Sequence, residues 1–272
     1  MARLVTKDSF LQLYRDARTV MFSHSRRNKP SLFIITTQKC GTTLLNKIVF
    51  SQIHHLKRTD YESLIYRGIR VSPTFSNFGH LYGPIRINLD PDNPVFQKLI
   101  YPITKNDFIN DKKVLFVVRD PRDIVVSRYY SLGWTHGMSP NKEIAKIQEE
   151  MRNTIQSQSI DEYVLCGMID VEKRLKLIKE LAIRCNYSVV LRYEDMINDF
   201  EAFSGQLKKL IPLSETMEES LYKESRPNKE ENRDSHKRSG STGQFMDKLS
   251  ENTITIMNEY LSDVLEYFGY PI

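Results

Sequence analysis

Cysteine is scarce in these 272 residues: only Cys40, Cys166 and Cys185 are present. Three cannot all pair within one chain and none of the spacings is that of a metal site, so a disulfide scaffold and a cysteine metal centre are both excluded and a reducing cytoplasm is expected. Long apolar runs are also missing. The first twenty residues, MARLVTKDSFLQLYRDARTV, hold no apolar segment of signal-peptide length, and nothing later approaches a membrane span, so the expectation is a chain neither secreted nor anchored in a membrane. Charge of one sign is only weakly in excess. A formal net charge of +5 suits an anionic ligand but falls short of the dense Lys/Arg stripe that nucleic acid requires, and no nucleic-acid partner is expected. There is no internal repeat and no linker. With 40% hydrophobic residues, 1–272 reads as one domain able to bury a full core.

What is present is organised around residues 31–53, SLFIITTQKCGTTLLNKIVFSQI. Leu32, Phe33, Ile34 and Ile35 have strand length and β-branched content, whereas Leu44, Leu45, Ile48 and Val49 recur at helical spacing, which predicts strand, loop, helix. The loop, Thr37-Gln38-Lys39-Cys40-Gly41-Thr42-Thr43, carries what a phosphate needs at such a junction. Gly41 permits close backbone approach, a helix start offers N–H groups, two threonines add hydroxyls and Lys39 adds a charge. It is not a Walker A loop, which ends Gly-Lys-Ser/Thr; here Lys39 precedes the glycine.

The pattern recurs. A buried strand over 113–118 runs into Arg119-Asp120-Pro121-Arg122-Asp123 and then a helix bearing Ile124, Val125, Ser127 and Tyr130, with Asp120 placed to cap it and Pro121 in its first turn. A third strand, 187–191, opens into Arg192-Tyr193-Glu194-Asp195-Met196. Helices are expected over 6–25, 140–155 and 159–184, twice within 199–225, and over 247–268 with Gly269 as the stop. Residues 57–75 read as loop with room for a short helix, 75–84 as a short strand ended by Gly83 and Pro84, 88–93 as a surface turn, and 223–244 as a charged mobile loop. Strands alternating with helices imply an α/β protein whose central parallel sheet is covered on both faces.

Ser127 lies eight residues beyond Arg119, so a hydroxyl from the second helical turn and a guanidinium from the preceding loop can converge on one anion. Arg122 and Arg128 read as surface or ion-pair residues. Of six histidines, His54 and His55 fall on the first helix and His136 follows Trp134 in a loop, where structural roles are expected; His24 and His236 have no argued role.

The segment Lys39-Cys-Gly-Thr-Thr resembles the 5′-phosphosulfate loop, usually Lys-Ser-Gly-Thr-Thr, of sulfotransferases that use 3′-phosphoadenosine-5′-phosphosulfate (PAPS). Residues 119–127 resemble the family's 3′-phosphate segment. Arg238-Ser-Gly240-Ser-Thr-Gly243-Gln-Phe245 resembles its C-terminal Arg-Lys-Gly-x-x-Gly-Asp-Trp, with Ser239, Gln244 and Phe245 departing from the commonest form, and Tyr193-Glu-Asp-Met resembles a segment whose tyrosine lies near the adenine. Four motifs in the family's order cover most of the chain, which is identified as a member of the PAPS-dependent family of cytosolic or bacterial type. The resemblance implies a three-layer P-loop-like fold, PAPS as cofactor with 3′-phosphoadenosine 5′-phosphate (PAP) as product, and a small-molecule hydroxyl or amine as acceptor. It places Gln38, Lys39, Cys40, Gly41, Thr42, Thr43 and Leu44 around the phosphosulfate, Arg119, Ser127, Arg238, Ser239 and Gly240 around the 3′-phosphate, and Tyr193 by the adenine.

Sulfuryl transfer resembles phosphoryl transfer in its loose in-line transition state, so Lys39 is the expected stabiliser of the leaving oxygen. The acceptor must lose a proton, and His80, read as lying at a strand end where the family often places a histidine, is the expected base, in the setting Gly79-His80-Leu81-Tyr82-Gly83-Pro84. Cys40 replaces a serine and can donate only weakly. No His, Cys and carboxylate spacing suggests a metal. Loops 57–75, 84–110, 132–160 and 223–244, with Tyr66, Phe75, Tyr82, Trp134, Glu149 and Glu150, are expected to wall the acceptor site. A catalytically silent PAP-binding module and a small-molecule kinase are the rival readings. A homodimer stays open, since the family's short dimer motif is not recognisable near the C-terminus.

Overall fold

The computed structural model describes residues 29–66, 77–105, 107–227 and 240–272. The helix expected over 6–25, Arg238 and Ser239 lie outside these residues. The chain opens with β1, Leu32–Thr36, and after the Lys39 loop α1, Thr42–Ile48. Every residue of β1 is buried, which is why its apolar run is continuous where a half-exposed strand would alternate. Next come β2, Lys57–Thr59, α2, Tyr61–Tyr66, and β3, His80–Arg86; a π turn at Phe96–Ile100 leads into α3, Tyr101–Lys105. The second strand–loop–helix unit is β4, Lys113–Val118, and α4, Pro121–Tyr130, prolonged by a π turn at Ser131–Thr135. Asp120 caps α4 by accepting the Arg122 N–H at 2.9 Å, with Pro121 at the first helical position. The remainder is α5, Lys142–Gln156, α6, Ile160–Arg184, β5, Tyr187–Arg192, α7, Tyr193–Asn198, α8, Phe200–Lys208, α9, Glu215–Ser225, α10, Gln244–Lys248, and α11, Glu251–Phe268.

The strands form one sheet in the order β2-β3-β1-β4-β5, every neighbouring pair parallel, with helices on its faces. This is the α/β parallel-sheet arrangement that the alternating pattern predicted, and it fits the three-layer P-loop-like fold that the resemblance implied.

Three local expectations need correction. Residues 57–75 hold β2, an edge strand of three residues whose Lys57 and Arg58 offer no apolar periodicity. The strand expected over 75–84 instead starts at His80 and passes through Gly83 and Pro84 to Arg86. Gly83 has φ 114°, and a Cβ there would sit 2.6 Å from the Ile34 carbonyl oxygen, so glycine is what lets β3 approach β1; the pairing register shifts between Phe33 and Ile35 at the same place. A Gly-Pro pair can mark an irregularity inside a strand as well as its end. The final helix is two, because the Ser250 hydroxyl accepts the Thr253 N–H and restarts the chain as α11.

Parallel pairing sends the loops after β1, β4 and β5 to one edge of the sheet. It also fixes where His80 is not: Leu81 pairs with Leu32 and His80 with Lys57, so His80 stands at the opposite edge, level with the start of β1. Six strand steps separate that level from the Lys39 loop, about 20 Å.

Candidate functional site

The loop after β1 turns through two left-handed residues, Lys39 with φ 67° and Gly41 with φ 74°. A lysine in that region is unfavourable unless its surroundings hold it there. They do. Arg119, at the end of β4, donates from Nη1 to the Lys39 carbonyl at 3.3 Å and from Nη2 to Asp123 Oδ2 at 3.2 Å and to the Ser241 carbonyl at 3.1 Å. Asp123, one turn into α4, is fully buried and also accepts the Gly243 N–H at 2.8 Å and the Phe245 N–H at 3.1 Å. One carboxylate therefore ties the strand-end arginine to the start of α10.

Tyr193, the first residue after β5, completes the frame. Its ring lies under the Arg119 guanidinium at 4.5 Å and occupies the space beside Gly41, where a Cβ would come within 2.7 Å of it. Its hydroxyl donates to the Gly240 carbonyl at 2.8 Å. Asn198 adds a contact to the Thr242 hydroxyl.

These elements enclose one cavity of about 600 Å³. Of the residues singled out in the sequence, Gln38, Lys39, Gly41, Thr42, Thr43, Leu44, Arg119, Ser127, Tyr193 and Gly240 line it together. Two do not. The Cys40 side chain is buried beneath the loop, its Sγ donating to the Gln38 carbonyl at 3.6 Å, and burial pushes its thiol up to about 12, so it stays protonated and points away from any loop ligand. His80 is excluded by the sheet geometry. It is buried, with Nδ1 3.1 Å from the Thr59 hydroxyl, its N–H donating to Ser31 Oγ at 3.0 Å and its ring stacked on Tyr82, which is a core position and no acceptor wall. Tyr82 itself is a core residue packed on Phe33, and Trp134, Glu149 and Glu150 are absent from the cavity wall.

Several wall residues were not singled out individually, although loops 84–110, 132–160 and 223–244 were expected to wall the acceptor site. Arg86 ends β3 opposite Thr36, at the base of the Lys39 loop; the signal would have been the strand's true extent. Tyr130, Ser131, Leu132, Thr135 and His136 continue the wall from α4, and Lys47, Met196, Glu224 and Gln244 complete much of the rest. Among the described residues the wall carries five cationic side chains, Lys39, Lys47, Arg86, Arg119 and Arg128, against one carboxylate, Glu224, which Lys47 holds at 3.0 Å. Arg128 pairs with Asp170 at 2.8 Å and the buried Arg122 with Asp120 at 2.7 Å, so both arginines make ion pairs, as their sequence setting suggested, and only Arg122 is buried in the core. The cavity is built for an anion.

Behind the wall lies a second layer of buried charge. Glu194 accepts the Asp120 N–H at 3.0 Å, and burial pushes its carboxyl up to about 7 despite the Arg119 charge beside it. Burial likewise raises the Asp120 carboxyl, and the Tyr270 phenol, facing Glu194 and Asp120, is pushed well up. Among the described residues no group of three or more His, Cys, Asp or Glu side chains could hold a metal, and no helix is long and apolar enough to cross a membrane.

Solved structures similar to this chain include mouse sulfotransferase SULT7A1 complexed with PAP, at 16% identity and a TM-score of 0.46 over 87% of this chain and 84% of that one. Another is retinol dehydratase in a complex with retinol and PAP, also 16% identical, with a TM-score of 0.44 over 87% and 82% of the two chains. No curated protein matches the sequence significantly. The family model described as a sulfotransferase domain matches residues 29–269, almost the whole chain, and the protein belongs to that family.

Proposed function

We propose that this chain transfers the sulfuryl group of PAPS to a hydroxyl or amine of a small-molecule acceptor, in the cavity at the C-terminal edge of the sheet. The observation that carries this reading is the convergence, on one cationic cavity, of the Lys39 loop, the segment from Arg119 to Ser127, and Gly240, from three separate parts of the chain. Arg119 supports the fit to a bisphosphate. Its Nε is buried and has no partner among the described residues, leaving a donor that a phosphate oxygen would satisfy. The volume is that of an ordinary cofactor site.

PAPS, when bound, supplies the activated sulfuryl group. Lys39 supplies a full charge, and Thr42 and Thr43 supply donors, at the loop where the leaving oxygen gains charge. Arg119 and Ser127 hold the 3′-phosphate end, with Gly240 and the preceding Arg238 and Ser239 as the assigned third side. Tyr193 supports Gly41 and Arg119 from beneath, so its first task in this reading is to shape the loop, with contact to the adenine secondary. The excess of five cations over one carboxylate in the wall matches a ligand of several negative charges.

A thermal melt with PAP, compared with ATP plus Mg²⁺, tests the assignment. At a hundredfold excess over Kd a ligand of the native state stabilises by about 2.7 kcal/mol, and the melting temperature should rise by several degrees with PAP alone. A rise only with ATP plus Mg²⁺ would favour the kinase reading. Transfer of label from PAPS to any acceptor separates the enzyme from a silent PAP-binding module.

A further inference from the structure

With His80 about 20 Å from the Lys39 loop, the acceptor's proton needs another destination, and the cavity wall offers few. Its described side chains include one carboxylate, Glu224, held by Lys47, and one imidazole, His136. His136 is exposed, lines the cavity and caps the π turn Ser131–Thr135 that prolongs α4, the helix carrying Ser127. A π turn is uncommon and tends to occur where a side chain must be aimed for function. This one is braced. The His136 N–H donates to the Ser131 carbonyl at 2.7 Å, the Arg152 guanidinium of α5 donates to the His136 carbonyl, and Gln156 Nε2 donates to the Gly133 carbonyl at 2.7 Å. The next turn is tied in too, by the Ser139 N–H donating to Gln148 Oε1 at 2.7 Å. The backbone that carries the imidazole is thus fixed from both sides, and His136 lines the same cavity as Lys39.

We propose that His136 is the general base for sulfuryl transfer, resting on the sulfotransferase reading above. His136 takes the proton of the acceptor O–H or N–H. The acceptor atom forms its bond to sulfur as the bond from sulfur to the 5′-phosphate oxygen breaks, and that electron pair leaves on the phosphate of PAP beside Lys39. Histidine suits the task because its ordinary charge change falls near working pH. The charged groups lining the same cavity are Lys39 on the loop, Lys47 on α1, Arg86 on β3, Arg119 after β4, Arg128 on α4 and Glu224 on α9, with Arg152 of α5 at the backbone carbonyl.

The test compares wild-type protein with the His136→Gln, Glu224→Gln, Glu194→Gln and His80→Gln variants. PAP affinity is read by calorimetry, and PAP release from PAPS is measured against pH with water and a panel of phenols, primary alcohols and amines as acceptors. His136→Gln should keep PAP affinity within about twofold, slow PAP release by roughly a hundredfold or more, and remove the rise of rate with pH that an imidazole produces between about pH 5 and 8. His80→Gln and Glu194→Gln should keep that rise. Full turnover by His136→Gln, loss of the rise in Glu224→Gln or Glu194→Gln instead, or PAP binding with no release from PAPS by the wild type under any acceptor would each overturn the proposal. Failure to bind PAP at all would instead overturn the sulfotransferase reading on which it rests.

Discussion

The ring of Tyr193 fills the space a side chain on Gly41 would need, with Cδ2 2.7 Å from an ideal Cβ. Because the same ring carries Arg119 at 4.5 Å and the same hydroxyl holds Gly240, the loop glycine and the strand-end arginine are set by one side chain. Gly41→Ala therefore meets two obstacles at once, a positive φ that costs about 1–3 kcal/mol for a side-chain residue and a ring that cannot withdraw without moving Arg119. Its PAP affinity should fall at least tenfold by calorimetry. Tyr193→Phe, which keeps the ring and loses only the Gly240 bond, should fall less; equal losses would show that the ring contact is unimportant.

Asp123 is the group whose removal should hurt stability most. Its carboxylate is fully buried and neutralises Arg119 while accepting two N–H groups of the 243–245 turn. Breaking a buried pair by deleting one partner costs about 3–5 kcal/mol. Asp123→Ala should lower the melting temperature by roughly 10 °C, and amide exchange at 243–248 should quicken before that of α11. An unchanged exchange rate at those amides would mean that the carboxylate does not hold α10.

The fold was legible because the central strands β1 and β4 are continuous apolar runs and the helices carry ordinary caps, as at Asp120 and Pro121. The Lys39 and Arg119 side of the candidate site was legible for a related reason. Lys39, Arg119, Ser127 and Tyr193 each sit at a strand end or in the first turns of the helix beyond it, where local sequence determines geometry. His136 was hidden because nothing local marks a π turn braced by Arg152 and Gln156 from another helix. His80 misled for the opposite reason: the Gly83-Pro84 pair looked like the end of a strand, and only the pairing of β3 with β1 and β2 shows that His80 begins it. Cys40 occupies a serine's place in the loop, yet its direction is a tertiary fact set by the buried space below.

Lys39→Ala should separate binding from chemistry. In the proposed function the Lys39 charge lies at the bond that breaks and Arg119 and Ser127 at the far end, so PAP affinity should drop by no more than about tenfold. Turnover of PAPS should drop by roughly 10²–10³, the range for losing one donor to a developing oxyanion. Single-turnover release of PAP measures this directly, and wild-type turnover by the variant would remove Lys39 from the mechanism.

Glu194 should make the protein's stability depend on pH in an unusual direction. In the unfolded chain its carboxyl ionises near 4.5, but in the folded protein burial holds the proton up to about 7. The folded state therefore binds the extra proton between those values, and the stability this group confers is full below about 4.5 and is lost as pH rises through about 7. The hydrogen bond from the Asp120 N–H and the Arg119 charge oppose the effect without cancelling it. Glu194→Gln keeps an acceptor for the Asp120 N–H and removes the titration. Across a series of thermal melts from pH 5 to 8, the wild type should lose melting temperature relative to Glu194→Gln. Parallel curves would show that Glu194 is ionised throughout and that the Arg119 charge outweighs its burial.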